Sequence, residues 1–153
     1  MKNSLFLLLL SICSMISCEP KSQNEKVQFI TSEEFKKANL PFSEMVIVGN
    51  MMYLSGQVGS RPEDPMTLVA GGIKGEAKQM LENIKTLLEQ NGSSLDQVVK
   101  CTVMLADISE WQDFNSVYVQ YFPNDKPARS AFGTSGLALG ARVEMECIAV
   151  IKN

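Results

Sequence analysis

The sequence predicts an α+β domain in which two helices cover one face of a β-sheet. Three observations carry that expectation. Residues 71–92 repeat apolar side chains at helical spacing, and 98–107 and 141–151 alternate apolar and polar side chains in the manner of strands. The elements follow one another as strands, helix, strand, helix, strands, with no internal repeat and no low-complexity segment.

The first 18 residues, "MKNSLFLLLLSICSMISC", stand apart from this domain. One lysine is followed by an apolar stretch from Leu5 to about Ile12, well short of the roughly 20 residues that span a bilayer. The layout is that of a secretory signal. Ser17-Cys18 resembles a bacterial lipobox, which would make Cys18 the lipidated N-terminus of an exported, cell-envelope protein. A plain signal peptide and the start of a cytoplasmic protein are the alternatives. Residues 19–26 are polar and read as a tether. The domain is then 27–153.

Within it, "MVIVG" (45–49) and "MMYLSG" (51–56) are short apolar runs around Gly49-Asn50, a hairpin signal. "RPEDP" (61–65) is expected to be a loop. In the helix at 71–92, Ile73, Ala77, Met80, Leu81, Ile84 and Leu88 form the buried stripe, and Asn91-Gly92 supplies the stop. In 98–107, Val99, Cys101, Val103 and Leu105 share one strand face. Ser109 and Gln112 fit a capping box opening a second helix over "EWQDFNSVYVQYF". Its stripe of Trp111, Phe114, Val117, Tyr118 and Tyr121 is expected to be core. "ARSAFGTS" (128–135) and "ARVEMECIAVI" (141–151) read as strands.

Composition removes several function classes. The chain has 153 residues, of which 45% are hydrophobic and 20% charged, enough for one core. Its net charge is −3, and its basic residues are scattered. The phosphate-neutralising footprint of a nucleic-acid binder is missing. There is no histidine, so no Ser-His-Asp or Cys-His arrangement can form. Cys101 and Cys147 lack zinc-ligand spacing and read as core thiols, although sequence leaves a disulfide between them open. "SGQVGS" lacks the spacing and lysine of a phosphate loop. No metal or cofactor is expected.

Two polar positions require explanation. Arg142, Glu144 and Glu146 share a face of the last strand, which then turns apolar at Ile148 and Val150. A carboxylate at such a boundary can acquire a raised pKa, as a general acid or base requires. A half-solvated Arg–Glu ladder is the alternative. Arg129 is one of only three arginines and follows Pro127-Ala128 at the mouth of a strand. A guanidinium reads carboxylates bidentately. Its partner is either a ligand or an internal carboxylate such as Glu144.

"NLPFSEMVIVGNMMYLSGQVG", "GGIKGEAKQMLENIKTLLEQNGSSLDQVVKCTVMLAD", "FNSVYVQYF", "PARSAF" and "GARVEMECIAVI" follow each other with a spacing that resembles the RidA/YjgF family. The resemblance runs from about Phe29 to Ile151. It implies a chorismate-mutase-like fold with a mixed sheet, a homotrimer, and active sites in clefts between subunits. It further implies a deaminase that hydrolyses reactive 2-enamino or 2-imino acids, such as 2-aminoacrylate, to 2-keto acids and ammonia. By the family's pattern Arg129 clamps the substrate carboxylate and Glu144 positions water and handles protons. Ser55, Gly56 and Asn115 line the pocket. Phe42 stands where well-known members have a tyrosine, and Ala131 where they often have a cysteine, so the pocket becomes more apolar.

The expected partners are a small imino or enamino acid, further copies of the chain, and a membrane reached through the lipid anchor only. A non-catalytic carboxylate-binding trimer of the envelope is the alternative. Ribonuclease and translation-inhibitor activities have been attributed to the family, but the acidic balance and missing histidine argue against nucleic acid here.

Overall fold

The computed structural model describes residues 26–152. The leader with Cys18 and the tether up to residue 25 lie outside the described residues. Gly49 and Asn50 turn the chain between β2 (Met45–Val48) and β3 (Met51–Val58), as their chemistry predicts. Gly49 has φ 60°, a conformation that carries no Cβ penalty in glycine.

β1 (Val27–Ile30) pairs antiparallel with β2, and β8 (Val143–Val150) pairs antiparallel with β3. β6 (Val98–Leu105) pairs antiparallel with β8, and β7 (Ala128–Gly133) lies parallel to β6 at the edge. The result is a mixed six-stranded sheet in the order β1-β2-β3-β8-β6-β7. A parallel pair needs a crossover, and α3 (Trp111–Tyr121) provides it between β6 and β7.

α2 (Gly72–Gln90) buries Ile73, Ala77, Met80, Leu81, Ile84 and Leu88, the stripe read from the sequence. These side chains meet Met45, Met52, Val103, Leu105 and Met145 from the sheet in one core. Burying each large aliphatic side chain is worth about 1.5–3 kcal/mol. α3 adds Phe114, Val117 and Tyr118, with Trp111 and Tyr121 half-buried at the rim. Both long helices therefore lie on one sheet face. The other face, carrying Tyr53, Lys100, Thr102, Glu144 and Glu146, has no helix over it among the described residues.

Several local expectations are corrected. "RPEDP" is mostly strand, because β4 (Ser60–Arg61) and β5 (Asp64–Leu68) form a separate two-stranded ribbon around Pro62-Glu63. Pro65 is tolerated there because a two-stranded ribbon has only edges. A bulge between Val98 and Lys100 turns Val99 outward, 45% exposed, and Val98 takes its interior place. The Ser109–Gln112 capping box does not form. Asp107 instead accepts the Ser109 N–H at 2.9 Å and closes a short 3₁₀ turn, and α3 starts at Trp111 without a side-chain cap. A carboxylate is the stronger acceptor for that amide.

β1 and α1 (Glu33–Lys37) lie outside the sequence expectation. α1 is a five-residue helix with no buried side chain. Ser32 caps it, with acidic residues in its first turn and lysines in its last, matching the helix dipole. Its start is tied to β2 because the buried Glu44 carboxylate accepts the Ser32 N–H.

Candidate active site

β3 carries a bulge between Leu54 and Gln57. It sets Ser55 and Gly56 beside β8, on whose helix-free face Glu144 is half-buried. A Cβ on Gly56 would lie 1.9 Å from Glu144 Oε1, so the absent side chain is what makes room for the carboxylate. Ser55 Oγ donates to the Ser43 carbonyl at 2.7 Å, and its N–H donates to the Glu44 carbonyl at 2.9 Å. Both contacts hold the bulge to the loop bearing Phe42. The Phe42 ring is 46% exposed and meets Phe35 edge-on at 6.1 Å between centroids.

Burial pushes the Glu144 carboxyl above the usual glutamate range, and the charge of Glu146 adds to the shift. A shallow cavity of about 260 Å³ continues along the same face, lined by Tyr53, Lys100, Thr102, Glu146 and Ile148. Lys100 Nζ donates to Ser130 Oγ at 3.0 Å across to β7. Sequence reasoning did not single out this group. Pairing of Thr102 with Glu146 and of Lys100 with Ile148 assembles it, and register is not written in any single strand.

Arg129 belongs to the opposite face. Its register partner is Cys101, whose side chain is fully buried toward the helices. Glu144 is instead paired with Met104, on the helix-free side. Arg129 and Glu144 are therefore not each other's ion-pair partners, which removes the internal-bridge reading. The Arg–Glu ladder is likewise absent. Arg142 precedes β8, and its Nε donates to Glu110 Oε2 at 2.8 Å.

Arg129 meets aromatic rings. Its Cζ lies 4.5 Å from the ring centroid of Tyr118, 5.5 Å from that of Trp111 and 5.8 Å from that of Phe114. The α3 stripe is core, as read, but its rim faces a cation, which periodicity alone does not reveal. Among the described residues the ion-paired cations are Lys36, Lys74, Lys85 and Arg142. Arg129 is not one of them. Ala131 follows on the same side of β7 and packs on the core. Asn115 is half-buried on α3 next to Phe114.

The predicted residues thus form two groups in one protomer. Ser55, Gly56, Glu144 and the Phe42 loop make one, and Arg129, Ala131 and Asn115 make the other, with the sheet between them. Beneath Arg129, Cys101 and Cys147 face each other across β6 and β8 as free thiols with Sγ atoms 3.2 Å apart. The hydrogen bond it shares with Cys101, and then burial, push the Cys147 thiol up, and the same bond holds the Cys101 thiol below its usual range. Among the described residues no cluster of three or more His, Cys, Asp or Glu could hold a metal ion.

Comparison with known proteins adds to this geometry. The family described as Endoribonuclease L-PSP matches residues 32–151. A human 2-iminobutanoate/2-iminopropanoate deaminase is 42% identical over 110 residues, covering 72% of this chain and 80% of its own. Protein HMF1 of Saccharomyces cerevisiae is 43% identical over 120 residues, covering 78% and 92%. The crystal structure of RidA from an Antarctic Psychrobacter superposes with a TM-score of 0.72 at 40% identity, covering 81% of this chain and 99% of that one.

The relatives also correct the expected localisation. They include a yeast protein named as mitochondrial and an Arabidopsis deaminase named as chloroplastic, and none of those described is named as an envelope or lipid-anchored protein. The expectation of export rests on one short apolar run before Ser17-Cys18, a pattern of residue types alone, and the relatives do not support it. On the matched span, the identities and the shared α+β fold, the chain belongs to the RidA/YjgF family.

Proposed function

We propose that the protein hydrolyses small 2-imino acids, formed from 2-enamino acids, to 2-keto acids and ammonia. The observation that carries this reading is Arg129, a half-buried guanidinium to which no carboxylate of the described chain is ion-paired. A substrate carboxylate satisfies its paired donors. Two relatives named as deaminases of such imines, human and bovine at 42% and 46% identity, support the reading.

The chemistry suits the residues. The enamine tautomerises to the imine, whose carbon is electrophilic. As water's oxygen bonds to that carbon, the C=N π pair moves to nitrogen and Glu144 takes the proton water releases. Glu144 returns that proton to nitrogen, giving the amino-alcohol, and then carries the hydroxyl proton to the same nitrogen, so that the C–N bond breaks with its pair on ammonia as the oxygen's pair closes the C=O bond of the keto acid. Fixed geometry supplies most of the acceleration.

Glu144 and Arg129 lie on opposite faces of one sheet, so we propose that a productive site combines the Arg129 group of one protomer with the Glu144 group of a second. A homotrimer closes such contacts symmetrically and covers the helix-free face. Ser55 and Gly56 would then shape the floor around the attacking water, with Phe42, Ala131 and Asn115 around the substrate. Incubating the purified protein with freshly generated 2-iminobutanoate or 2-iminopropanoate tests the activity. Keto-acid release above the spontaneous rate is expected, and release at the spontaneous rate would contradict it.

A further inference from the structure

We infer that Trp111, Phe114 and Tyr118 form an aromatic cradle that holds Arg129 ready for a carboxylate, and that Trp111 tunes the affinity as its partly exposed member. This rests on the proposal that Arg129 is the carboxylate clamp. The three rings occupy positions i, i+3 and i+7 of α3, one face of the helix, and that face looks onto the edge strand bearing Arg129.

A half-buried cation needs compensation. An internal carboxylate would provide it by occupying the N–H donors, and a ligand would then have to displace it. Aromatic rings compensate differently. Their negative faces attract the cation without supplying an oxygen that would occupy its N–H donors. Packing against three rings also restricts the rotamers of a long side chain, so less freedom is lost when a carboxylate binds. The rings thus act through Arg129 and are positioning residues.

Trp111 is the only tryptophan in the chain, so biosynthetic replacement with fluorotryptophans alters that ring alone. Fluorine withdraws density from the ring face with little change of shape. Pyruvate, a keto acid bearing the carboxylate in question, serves as the probe in calorimetric titrations of the whole protein. From unsubstituted to tetrafluorinated tryptophan, Kd should rise stepwise by about threefold to fivefold with melting lowered by no more than a few degrees. Trp111→Leu should weaken binding further, and Trp111→Phe should recover part of the loss.

Arg129→Ala separates the two ideas. If Arg129→Ala abolishes pyruvate binding while Kd stays flat across the fluorinated series, the cradle is overturned and the clamp stands. If wild type fails to bind pyruvate, or Arg129→Ala binds it as well as wild type, the clamp itself falls and the cradle with it.

Discussion

Arg129 and Glu144 carry opposite charges in the same sheet yet lie on its opposite faces, and this separation shapes what each substitution should do. Removing Arg129 strands no internal carboxylate. Arg129→Ala should therefore lower thermal melting by only a few degrees, through its lost contacts with three rings, while kcat/KM for imino acids falls by roughly two to three orders of magnitude. Arg129→Lys should recover little, because an ammonium lacks the paired planar donors. A collapse of melting in either variant would point to a structural role. Glu144 predicts a pH dependence. Burial, and then the charge of Glu146, raise its carboxyl pKa, so the base form needed for turnover is lost as pH falls through that raised value. The acid limb of kcat/KM should lie above that of an ordinary glutamate, and Glu146→Gln should move it down. The linked stability has the opposite sense, since a raised carboxyl pKa favours the folded state below its unfolded value and that contribution is lost as pH rises through the folded one. Glu144→Gln should flatten this part of the melting-versus-pH curve, and an unmoved limb in Glu146→Gln would refute the coupling.

The elements differ in how far sequence reveals them. α2 is long and strongly periodic, and every residue of its predicted stripe is buried. Leu81→Ala should accordingly cost about 2–5 kcal/mol in denaturant unfolding, by cavity formation against the sheet. β1, with four residues, and α1, with five, are too short for a period to register. The bulge at Val99 inverted part of one strand's pattern, since a single extra residue exchanges faces. Similar logic limited the candidate site. Alternation places Glu144 and Glu146 on one face of their strand, but it cannot relate that face to the face of Arg129 two strands away. Only the pairings of Cys101 with Arg129 and of Met104 with Glu144 do that. The candidate residues are legible through a family resemblance, which also implies clefts between subunits, whereas alternation alone does not show that the sheet lies between Arg129 and Glu144. The β3 bulge offers a test at this scale. Gly56→Ala should displace the flexible end of Glu144 from the place its carboxylate now fills, reducing turnover at least tenfold with melting shifted by only a few degrees. Full activity in Gly56→Ala would show that this close approach is dispensable.

At the scale of the whole molecule, the helix-free face and the divided site lead to the same assembly. Light scattering should return about three times the 16.9 kDa protomer mass, since a closed threefold ring gives every Arg129 group a Glu144 group. Subunit complementation tests that division most directly. Arg129→Ala and Glu144→Gln, each inactive alone, should be co-expressed with different tags and isolated as mixed assemblies. With the site shared between protomers, every mixed trimer pairs an intact Arg129 with an intact Glu144 at one interface, about a third of its sites. Keto-acid release should then recover to roughly a third of the wild-type rate. Mixed assemblies as inactive as either parent would contradict a site built from two protomers.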